Sequence, residues 1–129
     1  MTNTDTIHGY FDCLGRKAGW ENFLSEEIAF TSFTTPVERV TGKNAYLEAT
    51  RQFFSTIVAL EVKSLFVDGN RICALTRYRL QPPAGPVFDC HVAEVFKVRE
   101  GTIDSLDIYF DSAPFNRQEA SAIQNGTRS

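Results

Sequence analysis

The chain has 129 residues, which suits one domain with a self-sufficient core and leaves no room for a second. Its apolar share of 43% and charged share of 22% are ordinary for a globular protein and exclude a disordered, collagen-like or coiled-coil chain. With 13 Lys and Arg against 16 Asp and Glu, the net charge is −3 and no basic run occurs, so nucleic acid is not an expected partner. The apolar runs, such as Ile57 to Leu60, fall far short of the roughly 20 residues that cross a bilayer, so no membrane partner is expected. The start, Met1-Thr2-Asn3-Thr4-Asp5, is polar and shows no secretory signal, which makes the cytoplasm the expected address. Cys13, Cys73 and Cys90 are odd in number and widely spaced, so they read as reduced thiols. No metal-ligand spacing, phosphate loop or nucleotide fingerprint occurs, and no cofactor is expected.

Ile7, Tyr10, Phe11 and Leu14 recur at helical spacing, which predicts a first helix from about Thr6 to Arg16, capped by Asp5 or Thr6. Ala18-Gly19 breaks it, and Trp20, Phe23 and Leu24 predict a short second helix. A β-rich run from Ile28 to Phe33, closed by Pro36, predicts a first strand, with a short edge segment from Val37 to Val40. Tyr46, Ala49, Phe53 and Ile57 then predict a third helix ending near Val58.

From Leu60 the apolar period changes to two. Four strands are predicted, Leu60 to Val67, Arg71 to Leu80, Val87 to Val98 and Thr102 to Asp111. Short turns at Asp68-Gly69-Asn70 and Arg99-Glu100-Gly101 and a longer loop from Gln81 to Pro86 join them, which makes the run an antiparallel meander. The domain is expected to span 1–115, with a polar tail over 116–129. Helices followed by one long sheet define an α+β fold with helices covering one sheet face. By strand parity the other face carries Ile72, Ala74, Tyr78, His91, Ala93 and Val95, too apolar for open water, and a homodimer is the expected cover.

The segment from His91 to Ile103, HVAEVFKVREGTI, resembles the strand–turn–strand signature of the nuclear-transport-factor-2-like superfamily, nearest in style to its SnoaL-like polyketide cyclases and ketosteroid isomerases. The element order and the approach Val40-Thr41-Gly42-Lys43 to the third helix resemble it too. The resemblance implies a cystatin-like cone: a curved antiparallel sheet with three helices on its concave face and an apolar cavity inside. It also implies roles. Tyr10 and Glu94 match the isomerase's oxyanion donors, a tyrosine and an acid kept protonated. The isomerase's general base falls near Ser32, and the cyclases' last-strand histidine and aspartate fall on Leu106 and Ile108. Of the Asp-Arg-Asp set of the limonene epoxide hydrolases only the arginine has a counterpart, Arg77.

Parity arguments place Cys73, Leu75, Arg77 and Arg79 on one face with Cys90, Val92, Glu94 and Phe96, the face that the resemblance makes the pocket lining. Hairpin counting puts Glu94 opposite Cys73 and Leu106, apolar surroundings that raise a carboxyl pKa. The alternatives are that Glu94 pairs with Arg77 or Arg79, or sits at the rim in water. Arg77 either binds an anionic group through its guanidinium fork or runs to the rim. Trp20, Phe30, Phe53 and Phe96 supply rings for the core or for a flat apolar ligand. The expected ligand is a small apolar or carbonyl-bearing molecule, handled by proton transfer through Glu94 and Tyr10; the alternative is a non-catalytic ligand-binding or dimeric scaffolding module that has lost the acid/base residues.

Overall fold

The computed structural model describes residues 2–34 and 36–115; the expected tail lies outside the described residues. Helix α1 (Asn3–Arg16) starts earlier than the apolar stripe indicates. Thr2 is its cap: the Thr2 hydroxyl accepts from the Asp5 amide at 3.0 Å, and the Asp5 carboxylate accepts from the Thr2 amide at 3.1 Å. This reciprocal pair satisfies two amides that would otherwise lack partners, so Asp5 acts inside the first turn rather than as the cap. Lys17 ends the helix in the left-handed region, and Trp20–Phe23 form one 3₁₀ turn.

The strands are β1 (Leu24–Ser32), β2 (Glu38–Thr41), β3 (Ile57–Asp68), β4 (Arg71–Leu80), β5 (Phe88–Arg99) and β6 (Thr102–Phe110), with helix α2 (Lys43–Ser55) between β2 and β3. Helix α2 stops at Ser55 because Thr56 caps it, its amide and its hydroxyl both donating to the Phe53 carbonyl. Ile57 therefore belongs to β3 and not to the helix, paired with Leu80. The six strands form one curved, open sheet in the order β2-β1-β6-β5-β4-β3. The β3–β6 meander is antiparallel as expected, whereas β1 joins the last strand in parallel, Phe30 beside Leu106 and Ser32 beside Ile108. Register shifts in the β1–β6, β3–β4 and β5–β6 pairings mark bulges, which bend a sheet and increase its twist.

The concave face packs on the two helices. Ile7, Tyr10, Phe11 and Leu14 of α1 are buried, and Phe96 of β5 meets the Tyr10 and Phe11 rings edge-on at 5.6 and 5.7 Å. Tyr46 of α2 packs on Phe30 of β1 at 4.9 Å.

One strand is turned over relative to the sequence reading. Leu80 pairs with Phe88 and Ala74 with Glu94, so Ile72, Ala74, Thr76, Tyr78 and Leu80 share the concave face with Cys90, Val92, Glu94 and Phe96. Cys73, Leu75, Arg77 and Arg79 lie on the convex face. Parity within each strand was correct, but the loop from Gln81 to Val87 does not set the relation between strands, and a slip of one residue exchanges the faces. The expected dimer face is corrected with it: Ile72, Ala74 and Tyr78 are core residues, and only His91, Ala93 and Val95 of that set are convex. Among the described residues no helix is long and apolar enough to cross a membrane.

Phe96 is the ring that joins α1 to the sheet. Phe96→Ala is expected to cost about 3–5 kcal/mol, read as a lower urea midpoint with an unchanged slope.

Candidate functional site

Between α2 and the concave sheet lies a cavity of about 180 Å³. Rings from Phe30, Tyr46, Phe53, Phe54, Tyr78 and Phe110 wall it, together with Val92, Leu106 and Ile108. The polar groups on its wall come from Ser32, Glu38, Thr50 and Glu94. Thr50 already donates to the Tyr46 carbonyl at 2.8 Å, so its hydroxyl is spent within the helix.

Glu94 is 4% exposed, on the middle of β5. Its Oε2 accepts from the Tyr78 hydroxyl at 2.7 Å and stands 2.7 Å from the Thr76 hydroxyl. Thr76 and Tyr78 alternate onto one face of β4, which brings both hydroxyls under the same oxygen. The Thr76 hydroxyl also lies 3.2 Å from the Val92 carbonyl, and its single proton serves one of these two acceptors at a time. Burial pushes the Glu94 carboxyl up to about 7, against the opposing pull of the two hydroxyls. Burial also raises the Tyr78 phenol well above its ordinary range, and the neighbouring Glu94 raises it further. Behind the cavity Tyr10 neighbours Tyr46, and burial raises both phenols and holds them protonated.

Six of the residues singled out in the sequence line this cavity: Glu94, Phe30, Ser32, Phe53, Leu106 and Ile108. The others stand elsewhere. Tyr10 is fully buried and is not among the residues that line the cavity. Phe96 is core between β5 and α1, and Trp20 packs on Phe54 at 4.6 Å, outside the cavity. Arg77 is corrected most clearly, since it lies on the convex face beside Glu61 at 3.6 Å and cannot anchor a ligand in the cavity. Arg79 pairs with Asp89 at 3.1 Å, so neither arginine neutralises Glu94. Glu94 faces Ala74 and Ile108 rather than Cys73 and Leu106, a shift of one residue on β4 and two on β6.

Sequence reasoning missed Tyr78, assigned to the wrong face, and Tyr46, read only as part of a helical stripe. It also missed Glu38, which is the cross-strand partner of Ser32 and lines the same cavity. The alternation of β4 with Glu94 would have found Tyr78 had the hairpin register been known. Among the described residues no group of three or more His, Cys, Asp and Glu side chains is placed to hold a metal ion.

A cone of this kind, closed over a buried acid, defines a class of pocket-bearing α+β proteins. The SnoaL-like domain family matches residues 7–106, and the chain belongs to that family. No curated protein sequence matches the chain. Among solved structures it is similar to a protein from Kribbella flavida DSM 17836, with 21% identity over 93% of this chain and 95% of that one and a TM-score of 0.80. A protein from the same organism provisionally named a ketosteroid isomerase shares 19% identity, covering 84% of this chain and 76% of that one, with a TM-score of 0.70. A protein from Jannaschia sp. CCS1 provisionally named a SnoaL-like polyketide cyclase shares 15% identity, covering 84% of each chain, with a TM-score of 0.72. At these identities the likeness is one of fold.

The Glu94 carboxyl generates a pH signature. Its folded pKa of about 7 lies above the ordinary 4.5, so the folded chain holds a proton that the unfolded chain releases between those values. The associated stability is fully present below about pH 4.5 and is lost as pH rises through about 7. The loss is on the order of 3 kcal/mol, and Glu94→Gln is expected to remove it, as read from urea midpoints measured across pH.

Proposed function

We propose that the cavity binds a small, uncharged, carbonyl-bearing molecule and that Glu94 exchanges a proton with it. The observation that carries this reading is the carboxyl of Glu94, desolvated in an apolar cavity and fastened by Tyr78 and Thr76 through one oxygen only. With Oε2 occupied, Oε1 is the oxygen left to a ligand. In the protonated acid it donates to a carbonyl oxygen, and the Tyr46 phenol, held protonated by burial, stands on the same wall. Among the described residues the wall has two carboxyl groups and no arginine or lysine, which argues against an anionic ligand.

Glu38 supplies the second half of the chemistry. It is exposed on β2, beside Ser32, three strands round the sheet from Glu94. In the reaction proposed, the Glu38 carboxylate takes a proton from the carbon next to the carbonyl. The C–H electron pair forms a C=C bond, and the charge moving onto the oxygen is met by the Glu94 proton. Where the substrate carries a C=C bond beyond that carbon, Glu38 returns its proton to the far end of the conjugated system, the C=C bonds shift, and the oxygen gives its proton back to Glu94 as the carbonyl re-forms, which completes an isomerisation. The apolar Leu106 and Ile108 on the wall favour the second reading, a binding protein without catalysis.

Binding of 2-cyclohexen-1-one, followed by calorimetry, is expected to weaken about tenfold per pH unit above about pH 7, where Glu94 loses its proton. Glu94→Gln keeps a donor and is expected to bind across this range, whereas Glu94→Leu is expected to weaken binding by roughly 3- to 10-fold. Deuterium exchange into the bound ketone reports the proton transfer. It should stop in Glu38→Gln, which removes the base, and fall in Glu94→Gln, which keeps a donor but has no acidic proton to give; exchange as fast as the wild type's in both variants would overturn the catalytic half and leave the binding reading.

The partner in this reading is a second copy of the chain, seated on the convex face. Leu75 and Tyr109 there are 38% and 46% exposed, Phe66 is 58% exposed, and Phe33 stacks on Tyr109 at 4.8 Å. Free thiols at Cys13, Cys73 and Cys90 suit a reducing cytoplasmic setting. Light scattering should give twice the 14.5 kDa mass, and Leu75→Glu should return the single-chain value without loss of fold.

A further inference from the structure

The cavity at Glu94 holds about 180 Å³, little more than the roughly 150 Å³ that accommodates a benzene ring. Anything larger must extend out of it, and its two ends differ. Towards β2 the wall becomes polar and exposed, with Ser32 and Glu38 on it and Thr34 hydrogen-bonded to Ser32 at 3.4 Å. In the other direction stands a second cavity of about 330 Å³ that shares Phe53 and Phe110 with the first. Leu80, Pro82, Pro83, Phe88 and Phe115 complete it, and its polar groups are those of Gln52 and Thr56. Among the described residues its lining has no charged side chain.

We infer that this second cavity is the subsite for an apolar tail, and that the ligand is an elongated amphipathic carbonyl compound with its head at Glu94 and its tail past Phe53 and Phe110. This rests on the carbonyl-head reading for the position of the head only. The partition between the cavities is made of two rings, and neither is tied down by a polar bond because phenylalanine has none to make. Phe53 touches Tyr78 edge-on at 5.5 Å, so the partition adjoins the residue that holds Glu94. On the far side Phe115 meets Phe88 and Phe110, each at 5.4 Å, and the rings present an apolar end to the tail. A tail in this space is removed from water, and each methylene seated is expected to tighten binding about fourfold. A polar or charged tail loses its hydration there without a partner in return.

The test is a homologous series of methyl ketones from 2-butanone to 2-nonanone, titrated calorimetrically into the wild type and into Gln52→Trp. Gln52 is exposed on α2 at the edge of the second cavity, so the larger ring fills the subsite without entering the core. The wild type should show affinity rising with each carbon beyond the first few, and Gln52→Trp should reduce the ratio of the 2-nonanone to the 2-butanone constant at least tenfold. In the wild type, nuclear Overhauser contacts should run from the terminal methyl of 2-nonanone to Leu80 and Phe115. No gain with length, an equal gain in both proteins, contacts to Ser32 and Val40 instead, or no binding by any member would each overturn the tail subsite. A length-dependent gain in which Glu94→Leu leaves the affinity of every member unchanged would keep the subsite and overturn the carbonyl head.

Discussion

A carboxyl group without a cation, buried in the concave face of the sheet, is the constraint on which the rest of this structure depends. Moving a charged carboxylate away from water costs several kcal/mol, and a protein has three ways to meet that cost: a counter-ion, hydrogen bonds, or a proton. Here the arginines that the sequence places nearby are on the far side of the sheet, engaged with Glu61 and Asp89. Two hydroxyls and a proton remain. Thr76 and Tyr78 offset part of the desolvation, and the pKa of about 7 shows that burial still outweighs them. The side chain is therefore divided between its two forms near neutral pH, the condition under which one group serves as both acid and base.

That balance is set by the register between β4 and β5. With Ala74 opposite Glu94, the alternation of β4 presents Thr76 and Tyr78 to the carboxyl. A slip of one residue would present Leu75 and Arg77 instead, and a guanidinium in that cavity would hold the carboxylate charged and end its use as a donor. The register thus chooses between an ion pair and an acid. The bulges matter in the same way, because the curvature that they give the sheet makes room for a cavity between α2 and the strands instead of a filled core.

The parts of this arrangement that were legible in the sequence are those encoded within single segments. The stripes of α1 and α2 and the four-strand meander follow from local periodicity, and the family resemblance carried the cone and the placing of Glu94 on its pocket face. What was not legible depends on relations between segments. The parallel pairing of β1 with β6 joins residues far apart in the chain, and no turn residue announces it. The loop from Gln81 to Val87 is long enough to permit either parity, and the choice between them moved Arg77 out of the site and Tyr78 into it. Glu38 went unnoticed for a similar reason: in the sequence it is one charge in a short edge segment, and only its pairing with Ser32 places it on the cavity wall.

Thr76 extends the logic of the buried acid one step further. Its single hydroxyl proton stands between the Val92 carbonyl and Glu94 Oε2, at 3.2 and 2.7 Å. When the acid is ionised, a charge-assisted bond to Oε2 is roughly twice as strong as a neutral one, and the proton belongs on that side. When Oε1 carries a proton, the advantage shrinks and the carbonyl competes. Tyr78, whose phenol is kept protonated by burial, donates to Oε2 in either state. One hydroxyl is thus a fixed anchor and the other follows the charge. The carboxyl can gain or lose its proton at Oε1 while its position stays fixed by Tyr78, which is what a group exchanging protons with a bound ligand requires: the acid and the conjugate base occupy the same place, and the geometry of the next proton transfer is already set when the first is complete.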